Sequence, residues 1–171
     1  MPQNDTLILC AALEHYKSIY RDIEIECSKS LYKLAEAIID SYGFDLDHAF
    51  GFYDVAKPEQ IYGTKKRKYE LFADLGDADP GVLGVKKTKI VQAFPQIGHK
   101  LIFLFDYGDE WLFRVSVKEQ GAKQPKTRYP RVVASKGEAP EQYPDPDDYE
   151  EEELATWGMN PRTGEKIYFA K

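Results

Sequence analysis

The densest run of side chains able to do chemistry is Asp106-Tyr107-Gly108-Asp109-Glu110-Trp111. Three carboxylates at one bend, Asp106, Asp109 and Glu110, could hold a divalent cation such as magnesium or calcium through oxygen ligands. Burial that split their pKa values would equally suit acid–base work. The same residue types also make a plain turn, in which Asp106 and Asp109 accept backbone N–H bonds and Gly108 supplies positive φ. The second candidate is His48, within Asp45-Leu46-Asp47-His48-Ala49-Phe50. A histidine between aspartates can ligate a metal or act as a base, oriented by Asp47 or Asp45. It can also simply pack or cap at the head of a strand.

Two function classes follow. In a binding or interaction module, Phe50, Phe52, Tyr107 and Trp111 line a groove, while His48, Asp106 and Asp109 orient a polar ligand or hold the loops. In a metal-assisted hydrolase or nuclease, Asp106, Asp109 and Glu110 hold the ion and His48 is the base, with His48 and Asp109 as the catalytic candidates. The chain has no HExxH, GxSxG, Walker or GxGxxG motif, and Cys10 and Cys27 form no CxxC pair. Zinc-protease, hydrolase-elbow, NTPase and dinucleotide-binding readings therefore lack support. The binding module is the favoured class, with no cofactor expected and a divalent metal as the alternative. The partner would be an unidentified small molecule or protein.

These residues must be positioned by their flanking elements. Leu101, Phe103 and Phe105 alternate with Ile102 and Leu104, so Lys100 to Phe105 reads as a central strand with two apolar faces. Trp111, Phe113, Val115 and Val117 share a face opposite Arg114, Ser116 and Lys118, which completes a β-hairpin about the aspartate-bearing bend. Phe50 and Phe52 alternate and predict a short strand over His48 to Tyr53. Upstream, Thr6 to Leu13 reads as a buried strand. Ile19 to Cys27 reads as a strand with one wet side carrying Asp22, Glu24 and Glu26, its apolar face interrupted by Arg21. Glu14 to Ser18 joins the two as a hairpin.

Leu31, Leu34, Ala35, Ile38, Ile39 and Tyr42 recur at helical spacing, with Ser28 or Ser30 as N-cap and Gly43 as the terminating glycine. A second helix is predicted from a Thr88 cap through Phe94. Brief strands are expected at Tyr69 to Phe72 and Tyr129 to Val133, with loops over Asp54 to Lys68 and Gln120 to Lys126, and irregular chain over Asp74 to Gly84. The order predicts an α+β domain: an antiparallel or mixed sheet with two main helices packed on one face. The expected domain spans 1–137. An acidic, Pro-rich flexible segment follows over 138–156, and a C-terminal segment over 157–171 carries Trp157 and Ile167-Tyr168-Phe169, able to dock on the core.

Charge is segregated along the 171 residues: 23 Lys and Arg stand against 29 Asp and Glu, and nine of the acids lie between Glu138 and Glu153. Without those nine, the body carries 23 basic and 20 acidic residues. Such a tail keeps a protein soluble, or it covers a basic face and competes with an anionic partner. Three basic clusters, Lys65-Lys66-Arg67-Lys68, Lys86-Lys87 with Lys89, and Lys123, Lys126, Arg128 and Arg131, make nucleic acid the weaker alternative partner. No apolar run reaches the ~20 residues of a membrane span, and Met1 to Thr6 shows no secretory signal. A soluble, cytoplasmic protein is expected.

Four segments resemble the Ri-plasmid ORF-three-like family, also labelled insertion-element passenger proteins. They are Tyr20-Arg21; the helix Leu31 to Tyr42 with Gly43-Phe44; Asp47-His48-Ala49-Phe50-Gly51-Phe52; and Phe105-Asp106-Tyr107-Gly108-Asp109-Glu110-Trp111, the most specific of the four. Together they span about Leu7 to Pro144. The resemblance implies a compact α+β domain linked to mobile DNA, and brings no established activity. Two positions depart from the pattern. Phe113 stands where the family usually has a histidine, and Ala139-Pro140-Glu141-Gln142-Tyr143 replaces its Pro-Pro-Glu-Asp segment and following glycines. A chain lacking those polar residues fits binding better than catalysis.

Overall fold

The computed structural model describes residues 5–145, 157–159, 162–163 and 166–168. Contacts divide the chain into two units, Met1–Ala139 and Pro140–Lys171. The first holds one mixed sheet of eight strands in the order β5-β4-β3-β6-β7-β1-β2-β8. Its strands are β1 (Thr6–Leu13), β2 (Tyr20–Glu26), β3 (Phe50–Tyr53), β4 (Lys68–Glu70), β5 (Leu83–Gly84), β6 (Lys100–Phe105), β7 (Trp111–Gly121) and β8 (Arg131–Lys136). Every pairing is antiparallel except that of β4 with β5. Three short helices accompany the sheet: α1 (Leu31–Ser41), α2 (Leu71–Asp74) and α3 (Ile90–Ala93). The domain is thus mostly β.

The helix α1 forms where its apolar stripe predicts. The Ser30 hydroxyl accepts the Lys33 N–H at 3.3 Å, and Gly43, at φ 70°, turns the chain out of the helix. Its buried face, Leu31, Leu34, Ala35, Ile38 and Ile39, packs on one side of the sheet with Leu9, Ile23, Phe50, Phe52, Phe103, Phe113 and Val115. The expected second main helix is only one turn. Lys89 precedes α3 as its N-cap, and the Thr88 hydroxyl instead donates to the Gly84 carbonyl at 2.7 Å. Pro95 and Gly98 leave no length for a longer helix. Leu71 to Asp74 is a helical turn rather than strand, and Leu83–Gly84, expected to be irregular, pairs with Tyr69–Glu70.

A second, smaller apolar cluster lies on the opposite sheet face: Tyr53, Val55, Ile61, Ile102, Leu104 and Leu112, with Tyr107 against it. Alternation along β3, β6 and β7 places Tyr53, Ile102, Leu104 and Leu112 there, since adjacent strand residues point to opposite faces, and the loop after β3 adds Val55 and Ile61. The predicted wet side of β2 is covered. Asp22 and Glu24 are buried, and both reach cations: Lys118 lies 2.7 Å from Asp22, and Arg131 lies 2.7 Å from Glu24. Strand period two separates the faces of β2, but β7 and β8 decide that neither is open water.

In the second unit, β9 (Trp157–Met159) pairs antiparallel with β10 (Lys166–Tyr168). Most of the acidic run, from Pro146 on, and Phe169 lie outside the described residues. No helix among the described residues is long and apolar enough to cross a membrane.

Candidate functional site

The β6–β7 bend is built by Asp106. Its backbone sits at φ 64°, a region Asp tolerates better than most residues. Its Oδ1 accepts the N–H groups of Gly108 at 2.9 Å and Asp109 at 3.2 Å. Its own N–H donates to the Ala49 carbonyl at 3.0 Å, which ties the bend to the residue after His48. The other carboxylate oxygen lies 3.6 Å from His48 Nδ1, while Asp47 Oδ1 lies 2.8 Å from the same nitrogen. The fold therefore does bring the aspartate bend to the histidine.

Asp47, by its hydrogen bond, holds the His48 imidazolium above the usual histidine pKa, helped by the charges of Asp106 and Asp109. The expected result for Asp47→Asn is a lower His48 midpoint, read from the ring C–H shifts across a pH series by NMR. An unmoved midpoint would mean that Asp106 and Asp109 alone set the charge of the ring. Because the folded midpoint is raised, the contribution of this pair to stability is present in acid. It fades as pH rises through the folded His48 midpoint.

The metal expectation does not survive. One oxygen of Asp106 is spent on two backbone amides. Glu110 points to the other sheet face, where its Oε1 accepts the Tyr62 hydroxyl at 3.0 Å beside Leu104 and Leu112. Among the described residues, no group of three His, Cys, Asp or Glu side chains is placed to hold a metal ion. Asp106, Asp109 and Glu110 thus make no ligand set, and the metal-hydrolase reading with His48 as base loses its ion.

The expected aromatic groove is also divided. Phe50 and Phe52 are fully buried in the helix-side core, packed on Phe103 at 5.7 Å and 4.6 Å between ring centroids. Trp111 is half-buried on that side, against Phe44 at 4.8 Å. Tyr107 lies on the opposite face. These four cannot line one groove, because period two keeps Phe50 and Phe52 together in the helix-side core while the bend between β6 and β7 puts Tyr107 on the other face. Phe113 is likewise core, edge-on to Tyr42 at 5.0 Å.

Tyr107 belongs to a polar chain set in apolar surroundings. The Tyr53 hydroxyl donates to Glu70 at 2.8 Å and lies 2.7 Å from the Tyr107 hydroxyl, and Phe72 packs on the Tyr107 ring at 5.2 Å. Burial pushes both phenols above the ordinary tyrosine range. Both stay neutral at physiological pH and serve as hydrogen-bonding struts.

Beside this chain, a cleft of about 230 Å³ opens on the same face. Ile61, Leu104 and Leu112 make its floor, and His15, Glu59, Tyr62 and Glu110 its polar rim. Tyr62, 66% exposed, closes one side through its bond to Glu110. The loop over the cleft is anchored by Arg114, which makes paired bonds of 3.0 Å and 2.8 Å to Glu14 and a third, of 3.1 Å, to the Ala56 carbonyl. Sequence reasoning missed Tyr62, Glu59 and His15. The one available signal was an aromatic residue alone in a polar loop.

The same arrangement of strands and helices occurs in a crystal structure of a protein of unknown function from Methanosarcina mazei Go1, at 19% identity and a TM-score of 0.63, covering 78% of this chain and 70% of that one. No curated protein matches the sequence. The sequence profile of the plasmid pRiA4b ORF-3-like proteins matches residues 9–165, a stretch that includes strands β2 to β9, the bend and the cleft-forming loop. By that match, the chain belongs to the plasmid pRiA4b ORF-3-like protein family.

Proposed function

We propose that this protein is a binding module that takes a small amphipathic ligand in the cleft between the Pro58–Tyr62 loop and strands β6 and β7. The observation that carries this reading is the pairing of an apolar floor, Ile61, Leu104 and Leu112, with a rim of convergent polar groups. Two rim residues are carboxylates, Glu59 and Glu110, so the rim favours a ligand with a cationic or hydrogen-donating head over an anion. The Tyr62–Glu110 bond offers both an acceptor and a donor that a ligand head can replace. His48, Asp47 and Asp106 act structurally in this reading, by holding the bend that presents Glu110.

Thermal shift with phenethylamine, and with phenylacetate as its opposite-charge counterpart, tests the proposal. The amine is expected to raise the melting temperature and the carboxylate to leave it unchanged, since a ligand preferring the native state stabilises it. Leu112→Trp fills the cleft and is expected to abolish the amine's effect. An equal shift from both compounds, or a shift that survives Leu112→Trp, would overturn the assignment.

A further inference from the structure

Two of the basic clusters, far apart in sequence, meet on one edge of the sheet. Parallel pairing of β4 with β5 sets Tyr69 opposite Leu83 and Glu70 opposite Gly84. Arg67 then stands just before β4, and Lys87 just after β5, at opposite ends of the strand pair. Both line a cleft of about 580 Å³ whose walls include Tyr69, Val82, Leu83, Thr88 and Gln92. Leu83 is half exposed, so the cleft offers apolar surface between its two cationic ends.

These cations are not drawn into ion pairs, although the Lys86 ammonium lies over the Tyr32 ring at 5.1 Å. None of Lys65, Lys66, Arg67, Lys68, Lys86, Lys87 and Lys89 forms an ion pair among the described residues. The third cluster differs: Arg131 pairs with Glu24 and Lys123 with Glu26. Within 65–89, seven cations face four acids, Glu70, Asp74, Asp77 and Asp79. Two of the four are engaged inside the fold, Glu70 by the Tyr53 hydroxyl and Asp74 by the Lys86 backbone N–H. The seven cations outnumber the four acids, so this edge is net positive although the chain as a whole is acidic.

We infer that the β4–β5 cleft binds phosphate-bearing ligands of nucleotide chemistry, with Arg67 and Lys87 holding phosphates at its two ends and a base or sugar lying over Leu83. Arg supplies a planar fork that matches phosphate oxygens, Lys a compact charge, and Thr88 and Gln92 neutral hydrogen bonds. That chemistry comes from a free nucleotide or from a nucleic-acid strand. The acidic rim of the other cleft recruits the opposite kind of ligand, so the two proposals stand or fall separately.

Fluorescence anisotropy of labelled ATP and of a labelled 12-nucleotide oligo-dT, at low salt with the full chain, separates the two sources. Binding of either probe is expected to weaken about tenfold or more in Arg67→Glu/Lys87→Glu, and to weaken further as salt rises. Lys17→Glu/Lys136→Glu makes the same change in net charge at exposed positions outside the cleft and is expected to retain most of the affinity. All four side chains are exposed, so a thermal melt of each variant is expected to match the parent. Tighter binding of ATP assigns the free nucleotide, and tighter binding of the oligonucleotide assigns the strand. No binding of either probe, or equal losses in both double variants, would overturn the inference.

Discussion

Arg21→Met is expected to lower the unfolding free energy by about 2–4 kcal/mol, since it strips the charged hydrogen bonds that a buried guanidinium makes to part-buried acceptors. Arg21 is 8% exposed and lies on the helix-facing side of β2. Its Nε donates to the Ser41 carbonyl at 3.1 Å, at the C-terminal end of α1. One terminal nitrogen donates to the Tyr20 and Lys136 carbonyls at 2.8 Å and 3.0 Å, and the guanidinium stacks over Tyr42 at 4.6 Å. A single side chain thus satisfies a helix-end carbonyl, favours the negative end of the helix dipole and pins β8 to β2. Met keeps the apolar stem but leaves three part-buried carbonyls without this donor. Arg21→Lys keeps the charge without the planar fork and is expected to recover only part of the loss. Urea unfolding checks this: the midpoint should fall with an unchanged slope. An unfolding free energy for Arg21→Met within about 0.5 kcal/mol of the parent would show that these contacts contribute little.

Gly51→Ala is expected to cost about 2–3 kcal/mol by overpacking. A Cβ at Gly51 would lie 2.8 Å from the Tyr53 hydroxyl, 2.9 Å from the Tyr107 hydroxyl and 2.9 Å from the Tyr69 carbonyl. The two hydroxyls belong to packed rings bound to one another, and the carbonyl is part of the adjacent strand, so no loose end can yield. Tyr107→Phe by itself is expected to cost about 1 kcal/mol for the lost hydrogen bond. The double variant Gly51→Ala/Tyr107→Phe should cost less than the two single changes together, because the missing hydroxyl makes room for the methyl group. Strict additivity in thermal or urea unfolding would show that the tyrosines do not supply the crowding.

Arg21 shows how far local pattern can be read. By alternation it falls on the apolar face of β2, where it looks like a defect. Apart from the neighbouring Tyr20 carbonyl its partners lie at Ser41, Tyr42 and Lys136, so no window around position 21 contains the whole explanation. The helix α1, its Ser30 cap and Gly43 were legible because capping and amphipathic period are properties of consecutive residues. The β6–β7 hairpin and the Asp106 carboxylate's bonds to its own turn were legible for the same reason, but the positive φ expected of Gly108 falls on Asp106 and Glu110 instead. The second helix was overread because its apolar spacing covers barely one turn, too few residues for period to be diagnostic.

The sequence by itself determined the strands β1, β2, β3, β6 and β7, the one capped helix α1, the two-faced character of β6 and the bend that carries Asp106. Each follows from residue types at fixed short spacing. Tertiary structure alone decided that Asp22 and Glu24 are buried beside cations, and that Phe50 and Phe52 are core rather than lining. It also decided that Glu110 parts from Asp106 to meet Tyr62, and that Arg67 and Lys87 share a cleft. The reason is geometric. Period two assigns a residue to a face of its strand, but what covers that face is set by strands and loops tens of residues away.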